Sequence, residues 1–459
     1  MMEVRIKSEN NSNALIIFTR EPQAGRTKTR MMPYLTPDQC EELHRCMLRD
    51  IAAEAKRVDA DVIVAYTGGD PVFLGKVFGK AGRLHSGAIY IRQRGSDIGE
   101  KMENAVADVL GMGYQKAVLI GTDIPELEAE SIDAAFALLD VYDVVIGPTE
   151  DGGYYLTGMK SAYHEAFDVK QYGTGTVYEE TVRSLEESGL STGSADIYSD
   201  IDVPEDAAGY RKRMREDPHL RHSHTGRFFR DNMKISVIIP VFNESKEIGK
   251  MLDQLKTYQN RCEIIFVDGE STDDTAGKIE NAGFTVLRSE KGRAMQMNRG
   301  ALDSSGDVLF FLHCDSILPD DFDREIKKVM AKNEWGCFGV KFPSRNFFML
   351  TNRVISNHRA FRRQLPFGDQ GIFIDRDLFF ETGMFPEIPV MEDYEFSRRL
   401  RRYGFRPGMT AKRIISSPRR YGKGTRSILQ TEISMWYLRY LYRKGCSSEK
   451  LQEKYMDIR

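Results

Sequence analysis

From residue 14 the chain alternates short apolar runs of β type with stretches of helical periodicity, and at residue 234 that alternation begins again. The first set of runs is ALIIFT (14–19), DVIVAY (61–66), IYIR (89–92), KAVLIG (116–121) and DVVIG (143–147), with helical patterns near 38–57, 98–111 and 129–140. The second set is KISVIIP (234–240), EIIFVD (263–268), FTVLR (284–288) and DVLFFL (307–312), with helical patterns near 245–257, 272–281, 292–303 and 320–331. Strands this apolar are buried on both faces, so each set predicts an α/β unit with a mostly parallel sheet flanked by helices. Two such units suit a chain of 459 residues, which is too long for one ordinary core. Open sheets of this kind bind ligands beyond the carboxyl ends of their strands. Asp123, Asp268 and Asp315 stand at or just past such ends.

Composition narrows the function classes. Apolar residues make up 41% and charged residues 29%, the balance of a soluble globular protein. A net charge of −3 gives no reason to expect nucleic acid. The opening MMEVRIKSEN lacks the apolar stretch of a signal peptide, and no run approaches the ~20 residues that span a bilayer. Six cysteines (Cys40, Cys46, Cys262, Cys314, Cys337, Cys446) are scattered without a C-x-x-C pair, so a reduced, cytoplasmic protein is expected. The expected organisation is a first domain over 1–215, a linker over 216–233 and a second domain over 234–459. The linker reading rests on 211-RKRMREDPHLRHSHTGRFFRDN-232, which is charged and aperiodic. Its His219, His222 and His224 have no acid or cysteine at ligand spacing, which favours solvated histidines over a metal site.

The second half carries the denser chemistry. The loop 240-PVFNESKEI-248 supplies Pro240, Asn243 and Glu244 at the end of the first strand. In 267-VDGESTDDT-275, Asp268 is placed to reach a base or ribose, whereas Ser271 to Asp274 read as a helix-capping segment. Lys291 and Arg293 flank Gly292 at a helix start in 291-KGRAMQMNRGA-301, an anion site that alone is weak. In 309-LFFLHCDSIL-318 a zinc site would need a second Cys/His set at matching spacing, and none exists. Cys314 is expected to turn into the packing, leaving His313 and Asp315. Farther on, 368-GDQG-371 carries Asp369 and Gln370, and 391-MEDYEFSRRLRR-402 opens with Glu392 and Asp393; in isolation those two acids would be simple complements to a helix dipole.

Taken in order, SVIIPVFNE, VDGxSxDxT, KGRxxQMNxGA, a strand ending in an Asp, GDQG and MED resemble a family 2 glycosyltransferase with a GT-A fold over 234–445. The resemblance is to the radical-SAM/selenodomain-associated transferase 2 group, also described as arsenosugar-biosynthesis glycosyltransferases. It implies inverting transfer of a sugar from a nucleoside-diphosphate donor to an acceptor, assisted by Mg²⁺ or Mn²⁺. On that resemblance Asp315 is the metal-binding acid of the D-x-D element, Asp268 contacts the nucleoside and Asp393 is the catalytic base with Glu392 beside it. Pro240, Asn243, Glu244, Ser271, Lys291, Arg293, Asn298, His313, Asp369 and Gln370 complete the expected donor site. Two positions depart from the family pattern: His313 replaces the usual first acid of D-x-D, and Gly269 the usual acid after Asp268.

In the first half, 20-REPQAGRTKTR-30 lacks the spacing of a P-loop and reads instead as a strand-end loop whose Arg20, Gly25, Arg26, Lys28 and Arg30 suit phosphates. Asp123 ends a strand, 147-GPTEDGGYYLTG-158 offers Asp151 before Gly152 and Gly153, and 200-DIDVPED-206 adds Asp202. Gly-Gly also suits a plain turn. Asp123 and Asp202 both follow strand-like segments and are candidates to share a metal. FTREPxxGRTKTR, LIGTDIPEL, GPTEDGGYYLTG and DIDVPED resemble the radical-SAM/selenodomain-associated transferase 1 group, itself similar to guanylyltransferases of GT-A-like fold. This implies nucleotide or nucleotide-sugar binding, with nucleoside triphosphate a candidate ligand, Asp123 on metal and Lys28 on phosphate; Arg20 stands where that group usually has Lys.

Residues 398–426 hold eleven Lys or Arg and no acid. A solvated face is the ordinary reading of such a run; Arg419 and Arg420 are its best candidates for a diphosphate or an anionic acceptor. Segment 427–445 is amphipathic and aromatic, which suits helix packing more often than peripheral membrane contact. The leading expectation is a bifunctional enzyme of two tandem GT-A-like domains. A single active C-terminal glycosyltransferase with a non-catalytic nucleotide-binding module comes next, and a non-enzymatic anion or nucleic-acid binder last.

Overall fold

The structure, a computed structural model, describes residues 12–32, 34–79, 87–169, 171–344, 346–417 and 425–456, the side chains of 448, 449 and 456 excepted. Arg419 and Arg420 lie outside the described residues. The chain forms two compact units that divide between Phe229 and Arg230.

The first unit is built on a sheet of β1 (Asn13–Arg20), β2 (Asp61–Thr67), β3 (Ile89–Arg92), β4 (Lys116–Ile120), β5 (Val144–Pro148), β6 (Tyr154–Met159) and β7 (Thr192–Ser194), in the order β3-β2-β1-β4-β6-β5-β7. The second has β8 (Ile235–Val241), β9 (Glu263–Asp268), β10 (Thr285–Arg288), β11 (Val308–Phe311), β12 (Trp335–Lys341), β13 (Ile372–Asp375) and β14 (Gly408–Ile415), in the order β10-β9-β8-β11-β13-β12-β14. Numbered from its own first strand, the second order repeats the first. In each sheet the sixth strand runs antiparallel to both neighbours and the other pairings are parallel. The expected fold class, tandem α/β units with mostly parallel sheets flanked by helices, is the one found.

Alternation along the central strands explains why both faces are covered. Leu15 and Ile17 enter one core while Ala14 and Ile16 enter the core on the opposite face. Val237 and Ile239 likewise face one layer and Ile238 the other. Strand order reverses beside the first strand of each sheet, between β1 and β4 and between β8 and β11, which opens a crevice at their carboxyl ends. The loops after β1 and β8, and those after β4 and β11, border these crevices.

The linker expectation is corrected. Residues Pro204–Glu216, Pro218–His222 and His224–Asp231 are helices, and Leu220, Phe228 and Phe229 are buried in a core with Met31, Tyr210 and Met214. The Asp50 carboxylate accepts the N–H groups of His224 and Thr225, both at 2.8 Å, at the start of the last helix. Three buried apolar side chains and this cap hold the segment to the first unit, so it is structural and not a tether.

Candidate active sites

In the second unit, the MED motif begins the helix Glu392–Arg402, and its two acids part ways. Glu392 is 3% exposed and accepts from Arg293 Nη1 at 3.1 Å, so its carboxylate is committed to a buried ion pair. Burial raises its carboxyl above the ordinary range; Arg293 opposes that rise and Asp393 adds to it. Asp393 is half-buried, with Oδ2 accepting the Gly368 N–H and Oδ1 the Tyr394 N–H, each at 2.7 Å. Met391, just before them, has a left-handed backbone at φ 71°, a strained conformation for a side chain of its size. The two acids that follow it face different partners.

Gly368 is the meeting point. A Cβ there would lie 2.9 Å from His313 Nε2 and 3.3 Å from Asp393 Oδ2. The GDQG turn therefore brings the end of β11 beside the helix carrying Asp393, and any side chain at 368 would fill the gap. Arg293, His313, Gly368, Glu392 and Asp393 line one pocket with Met297, Phe311, Ile372 and Phe385. Residues from four sequence motifs thus line the same pocket. Asp268 and Asp315 are not part of that lining. Asp315 lies past β11, partly buried; Cys314 packs against the core as expected.

Several donor-site expectations change role. Asn298 gives its amide to the Phe385 carbonyl at 2.9 Å and accepts the Phe385 N–H at 3.0 Å, so it fastens a loop and is not left facing a donor. Gln370 is fully buried, accepting the Phe367 N–H at 3.3 Å and donating to the Phe338 carbonyl at 3.4 Å. Of the expected capping segment, Asp273 does cap the helix Thr275–Asn281, its Oδ1 accepting the Thr275 N–H at 3.1 Å, whereas Ser271 is used elsewhere. Ser271 Oγ accepts the Asn243 N–H, Asn243 Oδ1 accepts the Thr272 N–H, and Asp273 Oδ2 accepts the Ser245 N–H. With Thr275 Oγ1 taking the Glu244 N–H, these bonds lock the loop after β8 to the loop after β9. Pro240 lies within β8, ahead of that lock. Lys291 is exposed with Nζ 4.0 Å above the Phe242 ring.

Asp268 is wholly buried at the end of β9. Its Oδ2 accepts from Arg288 Nη1 at 2.7 Å and from the Ser271 N–H at 3.1 Å, whereas Oδ1 has no hydrogen-bond partner among the described residues. A buried carboxylate oxygen in that state favours a ligand donor group, and the exposed Arg288 would have to lift for one to arrive. Gly269 next to it has a steric reason: a Cβ would come within 2.8 Å of the Gln296 amide, which is itself tied to the Val241 and Val267 carbonyls.

In the first unit Lys28 occupies the crevice. Its backbone is left-handed (φ 51°), its side chain is buried, and Nζ lies 2.7 Å from Asp123 Oδ1, 3.8 Å from Asp202 Oδ1 and 2.5 Å from the Ile201 carbonyl. Arg30 holds the other oxygen of Asp202 at 2.7 Å. Burial would push the Asp123 carboxyl up, but the Lys28 charge and hydrogen bond outweigh it and hold it below the usual range. Asp123 and Asp202, the candidates to share a metal, thus lie 2.7 and 3.8 Å from the Lys28 ammonium. Arg20 and Arg26 are exposed on the same loop, Arg20 Nη1 donating to the Arg26 carbonyl at 2.7 Å, and Gly25 turns it at φ 73°.

Asp151 closes the turn between β5 and β6, accepting from Thr149 Oγ1 at 2.5 Å and from the Gly153 N–H at 3.1 Å. Gly152 is needed there, since a Cβ would lie 2.0 Å from the Gly175 carbonyl oxygen. Two neighbours of this cluster were not singled out as site residues, though Asp200 opens the DIDVPED motif. Asp200 is pushed up to about 6, by burial first and then by Asp151 and Asp123. His44 is buried, its Nε2 3.2 Å from Thr19 Oγ1, and burial lowers it to about 4 against the pull of Asp123. Among the described residues of either unit, no three His, Cys, Asp or Glu side chains are grouped to hold a metal by themselves.

The comparisons agree with this division. The profile of glycosyl transferase family 2 matches residues 236–388, and that of a family described as uncharacterised and conserved in bacteria (DUF2064) matches residues 50–174. The protein RfbJ of Shigella flexneri is 32% identical over 104 residues, 22% of this chain and 81% of that one. A dolichyl-phosphate β-glucosyltransferase of Dictyostelium discoideum is 27% identical over 154 residues, 29% of this chain and 46% of its own, so less than half of that relative is spanned. A solved Desulfovibrio desulfuricans G20 structure, named for nucleotide-diphospho-sugar transferase activity, is 29% identical with a TM-score of 0.44, covering 48% of this chain and 95% of its own. The chain joins a unit matched by DUF2064 to a second unit of the same strand order matched by glycosyl transferase family 2. Through the second it belongs to the family 2 glycosyltransferases, and it is a glycosyltransferase enzyme.

Proposed function

We propose that the C-terminal unit transfers a sugar from a nucleoside diphosphate to an acceptor hydroxyl with inversion, Asp393 taking the acceptor proton. The supporting observation is the convergence at Gly368: Asp393 is fixed by two backbone N–H groups beside His313 and Arg293, at the crevice where the strand order reverses. An acceptor hydroxyl is a weak nucleophile, so its attack on the anomeric carbon needs a carboxylate within reach of its proton. Glu392 is held to Arg293 and serves to position that guanidinium. Asp268 supplies one buried oxygen suited to a donor N–H or O–H of the nucleoside.

Divalent metal fits this unit in one form. Mg²⁺ characteristically binds one or two carboxylates together with substrate phosphates and water, and Asp315 past β11 is the candidate carboxylate. A bound Mg²⁺ or Mn²⁺ would neutralise charge gathering on the leaving diphosphate. In the first unit the residues as placed do not fit a metal, because Lys28 Nζ already lies between Asp123 and Asp202. Its basic loop suits the phosphates of a nucleotide or nucleotide sugar, and this unit is proposed to run a nucleotidyl or glycosyl transfer of its own, making the chain bifunctional.

The test is a panel of UDP-, GDP- and dTDP-sugars and nucleoside triphosphates with Mg²⁺ or Mn²⁺, reading nucleoside diphosphate and pyrophosphate release. Asp393→Asn is expected to lower sugar transfer by ~10²–10⁴ with donor affinity, measured by calorimetric titration, unchanged. Full turnover in that variant would place the base elsewhere. Lys28→Ala is expected to abolish the first unit's product and leave nucleoside diphosphate release by the second intact.

A further inference from the structure

We infer that the second unit docks on an anionic bilayer surface through the outer faces of two packed helices, Phe347–Arg362 and Thr425–Arg443. A helix apolar on all sides is expected to be covered on all sides. Both helices have buried inner faces, with Met349, Asn352, Ser356 and Ala360 on one and Ile428, Thr431 and Leu438 on the other. Their outer faces are apolar and exposed among the described residues. Phe347, Val354 and Phe361 are 73%, 61% and 60% exposed, and Ile433 and Trp436 are each 58% exposed. A seven-residue spacing joins the first three into one stripe, and Leu429, Ile433, Trp436, Tyr437 and Tyr440 recur at three- and four-residue steps on the second helix.

The two stripes are neighbours. Asn352 Nδ2 donates to Glu432 Oε1 and Asn346 Nδ2 to Thr425 Oγ1 across the helix seam. Ile355 lies three residues from Asn352, and Leu429 and Trp436 three and four from Glu432, so exposed apolar side chains border the seam on both helices. Exposed apolar groups in this number form a patch of the kind that marks an interaction surface.

Charge selects the occupant. Residues 347–363 contain Arg353, Arg359, Arg362 and Arg363 and no acid. Residues 425–444 contain Arg426, Arg439, Arg443 and Lys444 and one acid, Glu432, which is already bonded to Asn352. Arg359 and Arg439 turn toward the Phe367 ring, which leaves six cations around the apolar stripe. An apolar face with Trp and Tyr, rimmed by Arg and Lys, is the pattern of a helix lying in the interface of an anionic membrane. A second copy of this chain would bring the same cations against themselves. No helix among the described residues is long and apolar enough to cross a membrane, so the contact is with the surface.

Docking would also bear on catalysis. The inner side of Thr425–Arg443 packs Leu438 against Val390, Met391 and Tyr394, and Tyr442 Oη donates to Glu395 Oε2 at 3.1 Å. The segment that aims Asp393 therefore rests on the helix that meets the lipid.

The chain contains two tryptophans, and Trp335 is wholly buried, so a lipid-induced change in emission reports on Trp436. The full-length protein is expected to co-sediment with vesicles of phosphatidylglycerol and phosphatidylcholine, with a blue shift of its tryptophan emission, and to be released as salt screens the cations. Trp436→Phe should keep sedimentation and lose the shift. Val354→Asp with Ile433→Asp, both at exposed positions, should lose sedimentation while circular dichroism and donor binding stay unchanged. Failure to bind anionic vesicles overturns the inference, as does equal binding to pure phosphatidylcholine. Lipid-free dimerisation abolished by the same double substitution would assign the face to a second copy, and polynucleotide binding abolished by it would assign the face to nucleic acid; either overturns the membrane.

Discussion

At the residue scale, adjacent side chains of the same chemistry are separated by what they touch. Glu392 and Asp393 are equivalent as letters; one is sealed against Arg293 and the other stands at the pocket with Gly368. The motif located the pair, and their successive places on one helix turn them toward different partners. Asn298 and Gln370 were also legible as motif members, yet their amides are consumed by backbone groups that no local pattern names. The environments of Asp200, although it opens the DIDVPED motif, and of His44 were illegible for the converse reason: they come from strands and loops distant in sequence. Asp200 offers a direct check. Its folded-state value of about 6 lies above the unfolded carboxyl value of about 3.9, so the folded state binds the proton more tightly. Stability therefore falls as pH rises from about 4 to 6, and the penalty is constant above that. Asp200→Asn removes the penalty. The variant's gain in Tm over the wild type is expected to be absent below pH 4, to grow across pH 4–6 and to level off above. A gain that does not change with pH would mean that Asp200 is an ordinary exposed acid.

At the element scale, the sequence showed the strands buried on both faces and their helices, because their apolar runs are continuous. It did not show β6, β7, β12, β13 or β14. Strand β6 follows directly on the Gly-Gly turn and read as part of a site loop, and β13 is four residues long behind GDQG. The segment read as a linker failed differently, since its charges conceal Leu220, Phe228 and Phe229 spaced along short helices. Its attachment predicts a local effect. Asp50→Ala removes the acceptor for the His224 and Thr225 N–H groups and should cost ~0.5–2 kcal/mol, the range for loss of a helix cap. Limited proteolysis should then cut faster within 217–233, with the second unit's core as resistant as before. Unchanged protection of that segment would show that Phe228 and Phe229 hold it without the cap.

At the scale of the whole molecule, the same strand order appears twice, each time with an acid beyond the fourth strand and a basic loop nearby, yet the two crevices are furnished differently. In one, a lysine lies between two carboxylates; in the other, a half-buried aspartate faces a histidine across a glycine. A duplicated frame carrying unlike residues accords with the proposal that the two units run unlike reactions. Each unit also has a core on both faces of its own sheet, which predicts that each folds alone. Cutting between Phe229 and Arg230, the boundary of the compact units, is expected to give two fragments with cooperative thermal transitions at the temperatures seen in the intact chain. Residues 230–459 should retain donor-dependent release of nucleoside diphosphate and the whole of the vesicle binding; residues 1–229 should retain any release of pyrophosphate. Mixing the fragments should restore the yield of the coupled product only at high concentration if the fusion serves to raise the local concentration of an intermediate. Equal yield at every concentration would show that the two sites work without benefit from their covalent link.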